Sequence, residues 1–254
     1  MPDRFILTPL FLDEPDDGLE SLARDDWRVV NPELAEGDTL HRIATVHQHL
    51  ADEVAKVAGS GDRPVSIAGD CCTTLGVMAG LQRAGMDPTL IWIDAHGDLN
   101  TWETTPSGFL GGMPLAMMMG VGDLTVVEAI ALTPVPQDRI ILTDGRDLDP
   151  GEQDLIDRYQ LIQLQTITDL MQHSFPDRPV YVHFDTDVLD PVDAPSMGYP
   201  APGGPTRSEM EQVFRHIART TNVAAVSMST WRPKMDTDGR SKEVCMHLLN
   251  VLID

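Results

Sequence analysis

The chain has 254 residues and a formal net charge of -22, from 40 acidic and 18 basic side chains. Nucleic acid and anionic membrane surfaces both bind basic faces, so this surplus of negative charge argues against either as a partner. No apolar stretch approaches the roughly 20 residues that cross a bilayer, and no signal-peptide layout surrounds the short apolar run 5–7, which predicts a cytoplasmic protein. No shift in composition marks a linker, so we expect a single domain over residues 1–254.

Apolar or β-branched runs that each end in polar residues alternate with stretches of helical spacing. The runs predict buried strands at 64–67, 90–93, 140–143, 180–184 and 223–228. The stretches between them predict helices at 40–57, 73–84, 155–160 and 208–218. This order predicts an α/β fold of three layers, α/β/α, around a central, mostly parallel sheet.

Residues that could bind metal or substrate directly follow four of the predicted strands, in the segments 70–71, 94–100, 145–147 and 185–187. Ligands of parallel sheets bind beyond the carboxyl ends of the strands. We therefore expect these segments to form one site. The segments 101–114 and 195–205, rich in Pro and Gly, are predicted to be loops at its rim.

Two of these segments carry metal-ligand side chains at alternating positions: Asp94, His96 and Asp98 in one, Asp185 and Asp187 in the other. In extended backbone, residues two apart share a face, so each set is predicted to converge on one point. Five ligands exceed the need of one ordinary site, whereas bridging carboxylates serve two cations with few residues. The pattern therefore predicts two divalent cations that share Asp94 and Asp185.

These segments resemble the signatures of the ureohydrolase family, which includes arginase, agmatinase and formiminoglutamase. Residues 94–100 are similar to its second signature, 184–191 to its third and 68–72 to its first. The resemblance implies an arginase-like fold and an amidinohydrolase that cleaves a guanidine-type C–N bond in a small molecule. Relatives form trimers or hexamers, so it also implies a homo-oligomer.

The resemblance implies a ligand set for each of two cations, with two Mn²⁺ per subunit as the usual family cofactor. One cation would be bound by Cys71, Asp94, Asp98 and Asp185. The other would be bound by His96, Asp94, Asp185 and Asp187. Ligands rich in oxygen with one imidazole suit Mn²⁺. Hydroxide bridging the cations would attack the guanidine carbon, with Asp98 as the catalytic residue that handles its proton.

Cys71 departs from the family pattern, which has a His ligand at this position. A thiolate is softer than an imidazole, so zinc or iron is the alternative to manganese in this half of the site. The other two cysteines, Cys72 and Cys245, are predicted to be packing residues, because three cysteines form no disulfide framework.

The resemblance also implies a set of substrate-binding residues: Asn100, Thr105, Ser107, Asp149 and Glu152. Asp149 and Glu152 match family positions that recognise the α-amino group of an amino-acid substrate. This match favours a guanidine or hydroxyguanidine amino acid of arginine size over agmatine.

Three further departures concern the pocket. Gly111 replaces a His that shuttles protons in the family, and Phe109 replaces an Asn that grips the substrate carboxylate. Thr230 falls where arginases carry a Glu that pairs with the guanidinium. The losses at positions 111 and 230 weaken the handling of a cationic guanidinium, and the loss at position 109 alters the grip on the substrate carboxylate.

The favoured hypothesis is therefore hydrolysis of Nω-hydroxy-L-arginine to L-ornithine and hydroxyurea. Arginine stays protonated to above pH ~12, whereas an N-hydroxyguanidine is much less basic. The chain is similar to a variant branch of the family that serves antibiotic biosynthesis. The alternatives are a conventional arginase or agmatinase that releases urea, and a catalytically silent relative that acts as a binding protein.

The remaining polar candidates receive no catalytic role. Asp70 is predicted to orient its neighbours through hydrogen bonds, and His183 is left unassigned. The other histidines lack a partner motif and are predicted to be solvated: His41, His47, His49, His173, His216 and His247.

Overall fold

A computed structural model describes all residues, 1–254. It contains ten strands: β1 Asp3–Thr8, β2 Leu10–Phe11, β3 Glu14–Pro15, β4 Arg28–Val29, β5 Arg63–Ala68, β6 Thr89–Asp94, β7 Ile140–Asp144, β8 Ile162–Gln163, β9 Val180–Asp185 and β10 Val223–Ser229. It contains eight α-helices: α1 Asp17–Glu20, α2 Thr39–Gly59, α3 Thr73–Arg83, α4 Pro114–Met118, α5 Thr125–Ala129, α6 Pro150–Tyr159, α7 Arg207–Thr220 and α8 Arg240–Ile253. Short 3₁₀ helices occupy Leu110–Gly112, Gln137–Arg139, Ile167–Met171 and Thr186–Val188.

Eight of the strands form one sheet in the order β4-β1-β5-β10-β9-β6-β7-β8. Every neighbouring pair in this sheet is parallel. The predicted α/β fold with a mostly parallel sheet is confirmed, and the five predicted strands are all present. The four strands at its centre are β5, β10, β9 and β6, so their carboxyl ends meet in the middle of one edge.

The sheet separates two hydrophobic cores. One core includes apolar side chains of α2 and α3, and the other includes those of α7 and α8. Strands β6 and β9 are buried along their whole length, which explains why they are continuous apolar runs rather than alternating ones. Helices therefore cover both faces of the sheet, and only its edges and strand ends remain for a site.

Several elements differ from the sequence-based expectation. The short strands β4 and β8 at the sheet edges, the strand β1 and the C-terminal helix α8 were not predicted. Helix α6 begins at Pro150 rather than at residue 155, because Asp149 and Glu152 form a capping box and proline is favoured in the first turn. Glu152 therefore lies on a helix and not in a loop.

One histidine prediction is wrong. His47 on α2 was expected to be solvated, but it is 1 % exposed, and burial lowers its pKa to about 3.

All three cysteines are buried and free. None of the helices combines the length and apolar character that crossing a lipid bilayer requires.

Candidate metal centre

The residues of the two Asp-rich segments meet at the carboxyl ends of the central strands. Asp94 is the last residue of β6, and Asp185 is the last residue of β9. Cys71 follows β5, and Thr230 follows β10. The parallel sheet thus brings four segments, distant in sequence, to one point.

Matching turns direct the side chains that follow each strand. Asp94 Oδ1 accepts the backbone N–H of His96 at 2.8 Å, and Asp185 Oδ1 accepts that of Asp187 at 2.9 Å. The expectation that strand alternation aligns these side chains is therefore wrong, because both strands end at the first aspartate. Convergence comes instead from an aspartate side chain that folds the chain back two residues later.

One potential ligand group comprises Asp94, His96 and Asp187. His96 Nδ1 lies 3.4 Å from Asp94 Oδ1 and 3.4 Å from Asp187 Oδ2. Its Nε2 lies 3.9 Å from the exposed carboxylate of Asp147. The imidazole is 27 % exposed, so this half of the centre faces the cleft.

A second potential group comprises Cys71, Asp94, His183 and Asp185, whose ligand atoms all lie within 4.8 Å of one another. Cys71 Sγ lies 2.6 Å from Asp185 Oδ2 and 3.2 Å from Ser229 Oγ. The four side chains of this group are buried. Asp94 is common to both groups, whereas Asp185 belongs to this group alone.

Asp98 stands beside these groups but belongs to neither. Its backbone has a positive φ of 50°, and its carbonyl accepts the N–H groups of Leu115 and Ala116 at the start of α4. Its carboxylate oxygen Oδ2 is buried without a hydrogen-bond partner. The loop is thus anchored through the backbone, which leaves the carboxylate free to act.

The pKa values of the ionisable side chains are strongly shifted in the half around Cys71. Burial, and then the charge of Asp185, raises the pKa of the Cys71 thiol well above its ordinary value. Burial, and then the charge of Asp187, raises the pKa of Asp185 in the same way. Burial also lowers the pKa of His183 to about 4, so its ring is neutral at physiological pH.

In the half around His96, the histidine pKa shifts in the opposite direction from that of His183. Burial disfavours protonation of His96, but the carboxylates of Asp187 and Asp94 outweigh it and raise the pKa to about 12. Burial, and then the charge of Asp94, raises the pKa of Asp187 to about 6. Protons on His96 and Asp187 thus offset negative charge that bound divalent cations would otherwise neutralise.

Three buried polar atoms in the centre lack any partner within the protein: Asp98 Oδ2, Asp187 Oδ1 and His183 Nε2. An unpaired buried polar atom costs on the order of 1–3 kcal/mol. Divalent cations are suitable partners for such atoms, and the donors of the two groups are mostly carboxylates with few nitrogen and sulfur atoms. The residues present therefore fit a pair of divalent cations.

His183 is the residue that the sequence-based interpretation missed. It lies on β9 two positions before Asp185, so the two side chains share a face of the sheet. Its spacing from Asp185 was the available signal, but a lone histidine in a buried strand is also compatible with packing.

An open cleft with a volume of about 180 Å³ leads to the centre. All five predicted substrate-binding residues line it: Asn100, Thr105, Ser107, Asp149 and Glu152. Thr105 and Ser107 stabilise the turn at its rim, because their hydroxyls accept the N–H groups of Gly108 and Phe109.

Glu152 already uses both of its carboxylate oxygens. Oε1 accepts the N–H of Leu99 at 3.0 Å, and Oε2 accepts the N–H of Asp149 at 2.8 Å. A Cβ on Gly97 would lie 3.0 Å from the Glu152 carboxyl group, so glycine there permits this close approach. Glu152 thus joins α6 to the loop that carries His96, which favours a positioning role over direct contact with substrate.

Two of the three departures in the pocket, Gly111 and Phe109, are linked by local packing, and the third, Thr230, bonds to the metal centre. A Cβ built on Gly111 would overlap the ring of Phe109, so Phe109 fills the space that a side chain at position 111 would need. The hydroxyl of Thr230 donates to Asp185 Oδ1. Thr230 therefore orients a potential ligand and supplies no negative charge to the cleft.

Aromatic side chains form one wall of the cleft. The rings of Phe109 and Tyr199 lie 5.2 Å apart, and those of Phe11 and Phe109 lie 6.1 Å apart. The guanidinium of Arg232 stacks on Phe11 at 3.6 Å. This wall is apolar, whereas Asp147 and the predicted polar residues line other parts of the cleft or its rim.

A family model described as the arginase family matches residues 14–253. An arginase of Bacillus caldovelox is 31 % identical over 227 residues, which cover 84 % of this chain and 76 % of the relative. An arginase of Brevibacillus brevis is 29 % identical, with 83 % and 75 % covered. These matches span nearly all of the elements that form the centre.

Solved structures agree with the sequence matches. The native arginase of Bacillus caldovelox at pH 5.6 superposes with a TM-score of 0.85 at 26 % identity, covering 99 % of this chain and 97 % of that one. An Entamoeba histolytica arginase in complex with L-ornithine gives a TM-score of 0.86 at 22 % identity, covering 99 % and 98 %, which shows a shared fold.

Proposed function

The chain belongs to the arginase family of amidinohydrolases, and from that premise we propose that it hydrolyses Nω-hydroxy-L-arginine to L-ornithine and hydroxyurea. The observation that carries this choice of substrate is the packing of Phe109 against Gly111. A ring fills the space of the proton-shuttling side chain expected from the family resemblance. A role in antibiotic biosynthesis is proposed on the same resemblance.

The cleft has lost support for a cationic guanidinium. Thr230 donates its hydroxyl to Asp185 and provides no counter-charge where the resemblance expects a Glu. Arginine keeps its proton to above pH ~12, so it needs both a counter-charge and a route for protons. An N-hydroxyguanidine is much less basic, and it can bind beside the apolar Phe109 as a neutral group.

With two divalent cations bound, the centre would lower the pKa of a water toward neutrality and so supply a nucleophile at physiological pH. We assign the cations to Asp94, Asp187 and His96 on one side and to Cys71, Asp94 and Asp185 on the other, with Asp98 alongside. Manganese is the proposed metal because carboxylates dominate the donors, and zinc or iron is the alternative beside the Cys71 thiolate.

Asp98 is the proposed acid–base residue. Its Oδ2 has no partner within the protein, and it can accept a hydrogen bond from the attacking water. Burial, and then the charge of Asp94, raises its pKa well above the ordinary value before cations bind, and in the loaded centre this carboxylate would take the proton that the attacking water gives up. It can then pass that proton to the leaving nitrogen, which gives ornithine its amine.

The amino-acid end of the substrate is proposed to bind near Asp149 and Asp147, which line the cleft. Asp149 is half-buried there and accepts the Asn100 amide at 2.8 Å. The exposed carboxylate of Asp147 lies beside it. An α-amino group can therefore meet negative charge near Asp149 while Glu152 holds the helix and loop together.

A product assay with three substrates tests this proposal. Manganese-reconstituted protein is incubated separately with Nω-hydroxy-L-arginine, L-arginine and agmatine, and hydroxyurea, urea and ornithine are quantified. We expect kcat/KM for hydroxyarginine to exceed that for arginine by at least about 10-fold, a difference of about 1.4 kcal/mol in transition-state stabilisation. Asp98→Asn serves as the control for hydrolysis by contaminants, and comparable urea release from arginine contradicts the substrate choice.

A conventional arginase is the second candidate. The observation that favours it is the naming of the relatives at 31 % and 29 % identity as arginases, together with the complete set of aspartates. Urea as the main product would establish this function. Absence of any product, with the metals bound, would instead favour a silent binding protein.

A further inference from the structure

His183 has the geometry of a metal-binding histidine. It lies on the same face of β9 as Asp185 and is 0 % exposed. Its Nδ1 lies 2.9 Å from Ser227 Oγ, which in turn lies 2.7 Å from the Tyr181 hydroxyl. Its ring packs against Trp92 with centroids 4.2 Å apart. Contacts on two sides therefore hold the imidazole in one orientation.

That orientation leaves one nitrogen without a partner. Nε2 of His183 is buried and forms no hydrogen bond. Histidines that bind metals commonly donate their other ring N–H to a nearby oxygen, which fixes the tautomer. Donation from Nδ1 to Ser227 would place the lone pair on Nε2, whereas a proton on Nε2 would be a buried donor with no acceptor.

The surroundings of His183 are the groups of the Cys71 half. A ring nitrogen, Cys71 Sγ and carboxylate oxygens of Asp94 and Asp185 all lie within 4.8 Å of one another. Atoms that bind one cation at about 2.0–2.3 Å can be at most about 4.6 Å apart. The four side chains therefore need only a small adjustment to bind a common cation.

We propose that His183 Nε2 is a ligand of the cation in the Cys71 half of the centre. This assignment rests on the two-metal function proposed above but not on the choice of substrate. It means that the imidazole absent at position 71 is supplied from β9 instead. The Cys71 half would then combine sulfur, nitrogen and oxygen donors, and each cation would have one histidine.

Anomalous diffraction from crystals of the manganese-loaded full chain tests the assignment directly. We expect the manganese peak nearest Cys71 to lie roughly 2.0–2.3 Å from His183 Nε2. A separation above about 3 Å, with Nε2–H donating to Asp94 or Cys71, overturns it and makes His183 a positioning residue. Failure of the two-metal function would appear differently, as the absence of both peaks.

Metal counting on a variant provides a second readout. His183→Asn keeps an amide close to Ser227 but removes the nitrogen that faces the centre. We expect its manganese content after dialysis to fall from two equivalents to about one. Retention of two equivalents with unchanged affinity overturns the assignment, and the diffraction result decides if the variant does not fold.

The matched control is His47→Asn. His47 is also buried, with an unpartnered Nδ1, but it lies on α2 and belongs to neither ligand group. This control should keep both equivalents of manganese. Loss of metal in both variants would mean that burial of a polar histidine, rather than ligation, explains the effect, and it would count against the assignment.

Discussion

The two halves of the centre differ in exposure and in donor chemistry. His96 is 27 % exposed and is joined by carboxylates alone. The group around Cys71 is buried and contains a thiol, two carboxylates and His183. Ligands exchange more readily where solvent enters, so we expect substrate to meet the His96 half and metal identity to depend on the Cys71 half.

The largest effect is expected from a change at Asp94, the one side chain shared by both halves. Asp94→Asn removes a charged ligand from each cation. Changes to residues behind a ligand commonly cost about 10- to 100-fold, so we expect kcat/KM to fall by more than about 100-fold and bound manganese to drop. The surface variant Asp138→Asn is the control, and retention of two manganese equivalents by Asp94→Asn would show that Asp94 does not bridge.

A second prediction concerns the carboxylates that support each half. Asp70 accepts the N–H groups of Leu12 and Cys72 beside the Cys71 half, and Glu152 supports the loop of the His96 half. Burial raises the pKa of both carboxyls to about 6. Because the folded state holds these protons more tightly, each contribution to the free energy of unfolding is greatest below pH ~4 and is lost between pH ~4 and ~6.

Urea unfolding of the metal-free protein measures this effect. Glu152→Gln removes one titration, so the free energy of unfolding of the wild type minus that of the variant should fall by about 2 kcal/mol from pH 4 to pH 7. A rise of this signed value with pH would contradict the account. Asp70→Asn should behave alike in the other half.

Restoring the residues expected from the family resemblance at positions 111 and 109 tests the choice of substrate. Gly111→His alone requires the Phe109 ring to move, because a Cβ at position 111 would overlap that ring. With Phe109→Asn added, the ratio of kcat/KM for arginine to that for hydroxyarginine should rise by about 10-fold, a modest share of what general acid–base catalysis can contribute. Phe109→Asn alone is the control, and an equal rise there would show that proton transfer at position 111 is irrelevant.

The smallest effect is expected from a variant that makes the ligands of the two halves more alike. Cys71→His replaces the soft thiolate with an imidazole, so manganese affinity in that half should increase by roughly 3- to 10-fold. Isothermal titration measures it, with Cys71→Ser as the matched loss of sulfur. If neither variant alters metal content or activity, Cys71 is not a ligand.

Much of this centre could be predicted from sequence, because its ligands follow strands directly. The apolar runs before Asp94 and Asp185 indicated parallel strands, and parallel strands bring their carboxyl ends together. The reason for convergence was nevertheless wrong. Both strands end at the aspartate, and its side chain turns the chain so that His96 and Asp187 return to the centre.

The remaining features depend on contacts between distant segments. His183 gains significance only when β10 and β6 place Ser227 and Trp92 against it. The role of Glu152 depends on helix α6 beginning early enough to reach Leu99. Phe109 fills the space beside Gly111. This contact is local in sequence, but it depends on a side-chain orientation that residue patterns do not define.

The central claim is that this chain holds two divalent cations in unlike halves. Metal content per chain after manganese reconstitution and removal of free metal tests it most directly. The account predicts two equivalents of manganese. Fewer than one equivalent would contradict the two-metal centre and favour a silent member of the family.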